Sequence, residues 1–264
     1  MARRWNSREE NFYREELLEL YIRKNRTIGE IALLLLVSEK TVFQRLGRLG
    51  IPTCPERKDN YLRKRKDIRI PSERSEDLAE FFGIMLGDGH VAHFQTMVTL
   101  GTKEYEYVCY VQFLMTKLFN APATVHLDKS GYHTVYIGSR ELTQWLYSEG
   151  LVPNKVAAQV DVPGWVFEKE AYMRLFLRGF FDTDGSVYKL RFGVQISFTN
   201  KSIPLLIALQ SMLRRLGYRV SELSAYRIYI TRRDNVERFF AEVQPMNTKH
   251  QDRYEYLTRR YPSG

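Results

Sequence analysis

Cysteine is scarce in this sequence, because Cys54 and Cys109 are isolated among 264 residues. A disulfide framework needs paired cysteines and a zinc site needs closely spaced ligands, so the pattern predicts neither and indicates a reducing compartment. The five histidines show no metal-ligand spacing. A glycine-rich phosphate loop, a Ser/His/Asp set and a thiol nucleophile are also missing, which leaves several common enzyme classes without support.

Long apolar runs are missing too. The longest extends from Ile31 to Val37 and is far too short to cross a bilayer. The chain starts with Met1-Ala2-Arg3-Arg4-Trp5 and continues into a charged segment, unlike the apolar core of a signal peptide. We therefore expect no membrane partner and no secretion, and an intracellular location in the cytoplasm, the nucleoid or an organelle.

Positive charge is in excess. Lys and Arg exceed Asp and Glu by 9, and the isoelectric point is near 9.4. Residues 1–77 hold 18 basic and 13 acidic residues, a net charge of +5, so the excess is densest in the first third. Such a balance suits a polyanionic partner, although a solvated basic surface has the same composition.

Two short stretches, Phe81–Gly89 and Leu177–Gly185, share one pattern. Each is an apolar run of helical character that ends in an acid followed by glycine. A glycine there suits the left-handed position that terminates a helix. Each run also has small residues four apart, which share one helix face and let two backbones approach closely. These pairs are Gly83 with Gly87, and Gly179 with Thr183.

The two acids are Asp88 and Asp184, 96 residues apart. Each faces the negative end of its helix dipole, and at the ends of two packed helices they would also repel each other. A divalent cation held by oxygen ligands would offset both effects. Two core helices with glycine stops and incidental acids are the alternative interpretation.

These residues resemble the two signature motifs of single-chain LAGLIDADG homing endonucleases, over roughly residues 76–262. The second stretch matches at Leu177, Gly179, Asp182, Asp184 and Gly185. The first matches only at its first glycine, its last aspartate and its last glycine, and it has Leu86 where the family has an earlier aspartate.

An internal repeat supports this resemblance. Val98–Lys103 is echoed by Ile196–Lys201, and Pro153–Lys155 by Pro245–Lys249. We expect an α+β fold, a pseudo-two-fold tandem αββαββα repeat in which each half has a four-stranded sheet and the sheets form a DNA-facing β-saddle. An N-terminal all-α domain precedes it. The predicted boundaries are 1–53 for that domain, 54–75 for a basic linker, 76–165 for repeat 1 and 166–264 for repeat 2.

The first domain resembles a helix-turn-helix. Helices are predicted over 8–24, from the capping box at Thr27 to Leu35, and over Glu39–Leu49 after the cap Ser38. Leu36 stands where such turns often have glycine. A structural cap, docked on the rest of the chain through Leu33 to Leu36, is the alternative. The residues expected to contact DNA are Lys40, Thr41, Gln44, Arg45 and Arg48.

In the second repeat, apolar and polar residues alternate across a predicted hairpin. A three-residue turn at Arg191–Gly193 would keep both strands in phase, with a polar face lacking acids. That face is expected to contact DNA, although a solvent-facing sheet would have the same pattern. Its residues are Lys189, Arg191, Gln195, Ser197 and Thr199. Weaker counterparts in the first repeat are His93, Gln95 and Thr99, and Arg219, Arg227, Tyr229 and Arg232 extend the surface.

The resemblance implies that Asp88 and Asp184, with Gly87 and Thr183, hold Mg²⁺ and that each acid serves one DNA strand. Mn²⁺ is expected to substitute and Ca²⁺ to support binding without cleavage. Lys103 and Lys201 match the family's assisting basic residues, with Lys155 and Lys249 as weaker candidates. Thr102 and Asn200 stand where glutamine is common, and Asp182 is expected to make structural hydrogen bonds.

We therefore predict a monomeric, Mg²⁺-dependent endonuclease that makes a staggered cut in double-stranded DNA at a long, partly asymmetric target site. A non-cleaving DNA-binding transcription regulator and an intron RNA maturase are the alternatives. No intein splicing residues flank the domain, which favours a free-standing or intron-encoded protein.

Overall fold

A computed structural model describes residues 7–24, 26–53, 68–92, 94–191 and 193–260. It divides the chain into two compact units, Met1–Arg63 and Lys64–Gly264. The predicted DNA contact His93, the predicted turn residue Phe192 and residues 54–67 of the predicted linker lie outside the described residues. No helix in the described part of the chain is long and apolar enough to cross a membrane.

The described residues of the first unit form three helices. Helix α1 covers Ser7–Leu17 and continues as a π-helical segment, Leu18–Arg23, and it is followed by α2 (Ile28–Leu34) and α3 (Glu39–Arg48). The predicted caps are confirmed, because the Thr27 and Ser38 side chains accept the N–H groups of Glu30 and Thr41. The buried core of the unit is formed by Leu17, Tyr21, Ile31, Ala32, Val42, Leu46, Leu49 and Ile51.

In the turn between α2 and α3, a leucine has the left-handed backbone conformation that glycine usually adopts. Leu36 has φ +51° and is 92% exposed. The Val37 N–H donates to the Ala32 carbonyl at 3.0 Å, which closes the end of α2. A leucine in this left-handed region costs about 1–2 kcal/mol. The turn therefore forms as predicted, at a conformational cost that glycine would avoid.

The first half of the second unit contains an antiparallel sheet covered by helices. In chain order its elements are α4 (Glu76–Leu86), β1 (Gly89–Val91), β2 (Gln95–Leu100), α5 (Tyr105–Phe119), β3 (Thr124–Leu127), β4 (His133–Gly138) and α6 (Arg140–Ser148). The strand order is β1-β2-β4-β3. The predicted four-stranded sheet of this half is confirmed.

The second half repeats this plan with differences. A short 3₁₀ helix (Gly164–Glu168) is followed by α7 (Glu170–Asp184), β5 (Gly185–Lys189), β6 (Val194–Thr199), α8 (Ile203–Arg215), β7 (Arg227–Ile230), α9 (Arg233–Val243) and α10 (Thr248–Arg260). The described strands of this half form a sheet in the order β5-β6-β7. The α+β class is confirmed, and the mostly polar helix α10 was not predicted.

The fourth strand that the repeat predicts for this half, expected over residues 218–223, is not formed. Ser221 still donates its N–H to the Tyr229 carbonyl at 2.9 Å. However, the Tyr229 N–H donates to the Ser221 hydroxyl, and the Ser221 carbonyl accepts from the Gln210 side chain at 2.7 Å. In a regular ladder the Tyr229 N–H would donate to the Ser221 carbonyl. Because side chains bind both of these groups instead, no strand forms there.

The register of the second-half hairpin also differs from the prediction. Tyr188 pairs with Gln195, and the Leu190 N–H donates to the Gly193 carbonyl, so the loop is one residue shorter than predicted. A one-residue change in register moves side chains to the opposite face of a strand. Lys189, which pairs with Val194, therefore lies on the other face from Gln195, and Tyr188 takes the predicted place of Lys189.

Helices α4 and α7 cross with their backbones in contact. A Cβ on Gly83 would lie 2.2 Å from the Phe176 carbonyl oxygen, and one on Gly179 would lie 2.2 Å from that of Glu80. A Cβ on Gly87 would lie 2.0 Å from the Thr183 hydroxyl. The prediction that these small residues allow close helix packing is confirmed.

The glycines after the two acids do not have the predicted left-handed conformation. Gly185 has φ −82° and begins β5, and Gly89 begins β1. Glycine is needed there for space, because a Cβ on Gly185 would lie 2.3 Å from the Phe181 carbonyl oxygen and one on Gly89 would lie 2.4 Å from the Met85 Cα. Each glycine lets its strand leave directly over the helix end.

We expect Gly83→Ala to destabilise the second unit by about 2–3 kcal/mol, because an added methyl group cannot share space with a backbone carbonyl. The gain in helix propensity, about 0.5–1 kcal/mol, is too small to offset this. The measurement is urea unfolding. Gly164→Ala is the control, because nothing lies within 4 Å of a Cβ at that position. Equal stability of the two variants would contradict the packing argument.

Candidate functional site

The helix crossing places two acids together. Asp184 is the last residue of α7, and Asp88 follows α4 after Gly87. Burial raises the pKa of Asp184 to about 6, and the charge of Asp88 adds to the shift. Burial also raises the pKa of Asp88. Each carboxylate is therefore held in an environment that disfavours its negative charge, which is common at functional sites.

A lysine from the loop after α6 lies at the end of α4. The Lys155 ammonium donates to the carbonyls of Met85 at 2.9 Å and Leu86 at 3.2 Å, and also to that of Gly87. Burial lowers the pKa of Lys155 to about 8, and the charges of the two aspartates oppose this shift. Lys155 thus supplies positive charge beside both acids and caps the helix.

A second lysine reaches the site from α10. The Lys249 ammonium lies 2.7 Å from a carboxylate oxygen of Glu104, which also accepts from the Asn247 side chain at 2.6 Å. Burial raises the pKa of Glu104, but these two hydrogen bonds outweigh that effect and lower it. Lys249 lowers the pKa of Asp88, and Glu104 raises it. Glu104 was not predicted, because its counterpart in the repeat is Ser202 and no motif marks it.

Asn200 contacts one of the two acids. Its side-chain NH₂ donates to Asp184 Oδ2 at 2.9 Å, and its Oδ1 accepts the Ser202 N–H. Thr102, its counterpart in the first half, is exposed. Within the described residues, no hydrogen bond joins Thr102 to Asp88. Of the two residues that stand where glutamine is common, Asn200 therefore orients an acid and Thr102 does not.

The predicted assisting lysines lie apart from these contacts. Lys103 and Lys201 follow β2 and β6, and both are exposed. The lysines whose charges act on both aspartates are Lys155 and Lys249. The assisting roles of Lys103 and Lys201, and those of Lys155 and Lys249, stay predictions.

Asp182 is structural, as predicted. It is fully buried, and its carboxylate accepts the N–H groups of Met246 at 2.9 Å and Asn247 at 3.1 Å. Burial raises the pKa of Asp182 to about 7, and these hydrogen bonds oppose the shift. The acid therefore fixes the loop that leads into α10 and to Lys249.

The oxygen ligands at this site suit a hard cation. Among the described residues, no group of three or more His, Cys, Asp or Glu could hold a metal alone. Mg²⁺, however, is often bound by one or two carboxylates together with substrate phosphates. Asp88 and Asp184 fit that pattern. The Thr183 hydroxyl donates to carbonyls of its own helix, at 3.1 Å to that of Gly179 and 3.0 Å to that of Phe180.

The outward face of the second sheet carries most of its predicted polar residues. Gln195 and Thr199 are half-buried, and Arg227, which pairs with Thr199, is exposed. Tyr229 is half-buried on the same face. Ser197 lies on this face but is fully buried, and its hydroxyl has no hydrogen-bond partner in the described part of the chain. A contact between Ser197 and DNA would need its neighbours to move.

The first sheet presents a comparable face. Gln95 and Thr99 lie on it as predicted, with Met97 between them. Met97 pairs with His90 on one side and with Tyr136 on the other. His90 and Tyr136 were not predicted to lie on this face, although the alternation of the strands around them is a signal for it.

In the first unit, α3 presents a partly apolar exposed stripe. Lys40, Gln44 and Arg48 are exposed, together with Phe43, which is 56% exposed. The Arg45 guanidinium lies 4.6 Å from the centre of the Tyr13 ring. The Thr41 hydroxyl lies 2.8 Å from that of Ser38 within the helix cap. Arg45 and Thr41 therefore also make contacts within the first unit.

One part of the second unit is similar to a known protein family. Residues 171–244, from α7 to the end of α9, match the family model described as a LAGLIDADG-like domain. The match includes Asp182, Asp184 and Asn200. The sequence prediction of this family is therefore confirmed for the second motif and the strands that follow it.

Two relatives are similar in sequence. The replication factor C small subunit of Methanocaldococcus jannaschii is 30% identical over 119 residues, 45% of this chain and 6% of the relative. That of Thermococcus kodakarensis is 27% identical over 192 residues, 66% of this chain and 20% of the relative. Because the chain spans at most a fifth of these two relatives, the activity in their names is not assigned to it.

Solved structures give weaker likenesses. The homing endonuclease I-DmoI in complex with DNA and Mn has 16% identity and a TM-score of 0.46, covering 64% of this chain and 96% of that one. I-SmaMI bound to cleaved DNA has 12% identity and 0.44, covering 71% and 88%. Full-length DUF199/WhiA from Thermotoga maritima has 17% identity and 0.46, covering 74% and 64%. Because these TM-scores are below 0.5, the similarity of residues 171–244 to a LAGLIDADG-like domain rests on the family model and not on the solved structures.

We expect Asp184→Asn to stabilise the folded protein at pH 7.5 in EDTA by up to about 3 kcal/mol, because the native carboxylate is half-buried and ionised beside Asp88. The pKa of Asp184 is raised from its ordinary 3.8 to about 6. The native acid is therefore protonated in both states below pH ~4 and ionised in both above pH ~6. The gain should be absent at low pH, develop between these values and stay constant above.

Urea unfolding at several pH values measures this effect, with Asp161→Asn at an exposed position as the control. Destabilisation of the Asp184 variant above pH 6 would show that attraction to Lys155 and Lys249 outweighs burial.

We expect Arg48→Ala and Arg45→Ala to differ. Arg48→Ala should lower DNA affinity and reduce the log–log salt dependence by about 0.9 if one phosphate contact is lost. Arg45→Ala should instead lower the stability of the first unit by about 0.5–1 kcal/mol, because it removes a cation–π contact with Tyr13. Thermal unfolding and salt-dependent binding to duplex DNA separate the two effects. The reverse pattern would make Arg45 the DNA contact.

Proposed function

The chain contains a LAGLIDADG-like domain, and we propose that it is a sequence-specific, divalent-metal-dependent endonuclease acting on double-stranded DNA. The single observation that carries this proposal is the pair of acids, Asp88 and Asp184, that the crossing of two helices brings together and whose pKa values are both raised. Two structural helices would have no need to place like charges together at a cost in stability.

In this proposal each aspartate serves one DNA strand. Bound Mg²⁺ would neutralise charge that develops at the scissile phosphate and make a bound water more acidic. Asn200 keeps the Asp184 carboxylate in a fixed orientation through its 2.9 Å hydrogen bond. Lys155 and Lys249 offset the charge of the acids before DNA arrives and lie where they can attract a phosphate.

One chain is sufficient for both acids, which supports action as a monomer. Each half contributes an acid and a sheet, so the two sheets would contact two unlike half-sites and the target would be long and partly asymmetric. We propose that α3 of the first unit adds contacts through Lys40, Gln44 and Arg48, because these exposed residues share one helix face.

The test is cleavage of a randomised duplex library with Mg²⁺, followed by sequencing of the cut ends. Wild-type protein should cut with Mg²⁺ or Mn²⁺ and should bind without cutting in Ca²⁺ or EDTA. Asp88→Asn and Asp184→Asn should each lower cutting of one strand by at least about 100-fold while binding is kept. Asp161→Asn should cut normally. Full cutting in EDTA, or by both active-site variants, would refute the proposed mechanism.

A non-cleaving DNA-binding protein is the second candidate. The observation in its favour is that the Gly87 carbonyl, a predicted metal ligand, accepts a hydrogen bond from Lys155. A lysine in that position could replace the cation instead of assisting it. The same library distinguishes the two functions, because a binding protein would enrich a sequence in every metal and release no cut ends.

A further inference from the structure

The first sheet has an unusual composition for a basic protein. Its four strands, Gly89–Val91, Gln95–Leu100, Thr124–Leu127 and His133–Gly138, contain no Asp, Glu, Lys or Arg. The second sheet, in contrast, has Arg227 on its outward face, where it pairs with Thr199. The two faces offered to DNA therefore differ in chemistry, although the two halves share one plan.

The outward face of the first sheet is built from cross-strand rows. In one row His90 pairs with Met97, Met97 with Tyr136, and Tyr136 with Thr124. His90 and Thr124 are exposed, and Met97 and Tyr136 are half-buried. This row ends in methyl groups, a phenol and an imidazole.

A second row continues the same chemistry. Thr99 pairs with Thr134, and Thr134 with His126. The hydroxyls of Thr99 and Thr134 lie 3.4 Å apart, within hydrogen-bond reach, so one can donate to the other. The cations next in sequence, Lys103 and Lys129, lie outside the strands and are exposed. Charge for phosphate contacts is thus at the margins of this face and not on it.

In the major groove, guanine is contacted most often by Arg or Lys, and the thymine C5-methyl group by apolar groups such as the threonine methyl. A face with methyl groups and no cation lacks the usual contact to guanine. The repeat also offers a comparison, because Met97 corresponds to Gln195 in the alignment of Val98–Lys103 with Ile196–Lys201. Glutamine suits adenine, whereas methionine suits a methyl group.

We propose that the first sheet contacts a thymine-rich, guanine-poor half-site, mainly through thymine methyl groups, and that Met97 is a specificity-determining residue there. The second sheet, with Gln195 and Arg227, contacts a half-site of mixed composition. This inference rests on the proposed DNA-binding function but not on cleavage.

The test begins with wild-type, full-length protein and duplexes selected by binding in Ca²⁺. Met97→Gln should change the base preference in one half-site, which identifies the half-site beneath the first sheet, and Gln195→Met should change the other. His90→Ala gives the same assignment if Met97→Gln does not fold. Circular dichroism checks the fold of each variant.

Wild-type protein is then measured on selected duplexes in which deoxyuridine replaces thymidine, which removes only the C5-methyl group. In the first half-site, each replaced contact should lower affinity by about fourfold, the value expected for one buried methyl group. The same replacement in the second half-site should change affinity by less than twofold.

Three outcomes would overturn this inference: a guanine-rich first half-site, no loss of affinity on replacement there, or equal loss in both half-sites. Failure of the proposed function gives a different result. Protein that selects a duplex but never cuts refutes the nuclease alone, whereas protein that selects no duplex refutes DNA binding and this inference together.

Discussion

The contact between the backbones of α4 and α7 is the constraint on which the other features depend. Gly83 and Gly179 allow that contact because neither has a Cβ, and each would otherwise collide with a carbonyl of the opposite helix. The same crossing sets the distance between Asp88 and Asp184, because each acid stands at its helix end. Backbone packing, and not a flexible side chain, therefore determines the geometry of the candidate site, and the site cannot loosen unless the core does.

Buried charge beside this crossing is balanced between the two halves. Glu80 of α4 is fully buried and accepts from Arg178 of α7, with Nε 2.9 Å from its carboxylate, and from the Tyr110 hydroxyl at 2.7 Å. Glu104 of the first half likewise pairs with Lys249 of the second. A buried carboxylate without its partner is costly, so the acids of the first half depend on basic residues of the second half.

Local sequence signals predicted the parts of the fold that depend on neighbours in sequence. The cap at Thr27 and the small residues on the motif helices are examples, since spacing along one helix determines them. The register of the second-half hairpin was predicted wrongly, because the alternation of polar and apolar residues favours a three-residue loop. The observed loop is one residue shorter and puts Lys189 on the opposite face. The contacts of Lys155 with α4 could not be predicted, because the partners are about 70 residues apart in sequence and periodicity carries no information over that distance.

The two motifs differ because the two helix ends are supported differently. In α7, Asp182 accepts backbone N–H groups from the loop before α10 and so anchors the segment that carries Lys249. In α4 the matching residue is Leu86, which is buried and offers no carboxylate. At the end of α4 the helix supplies the acceptors instead, because its Met85 and Leu86 carbonyls accept hydrogen bonds from Lys155. A leucine in the first motif therefore leaves its helix end fixed, and the departure from the family pattern does not by itself weaken the site.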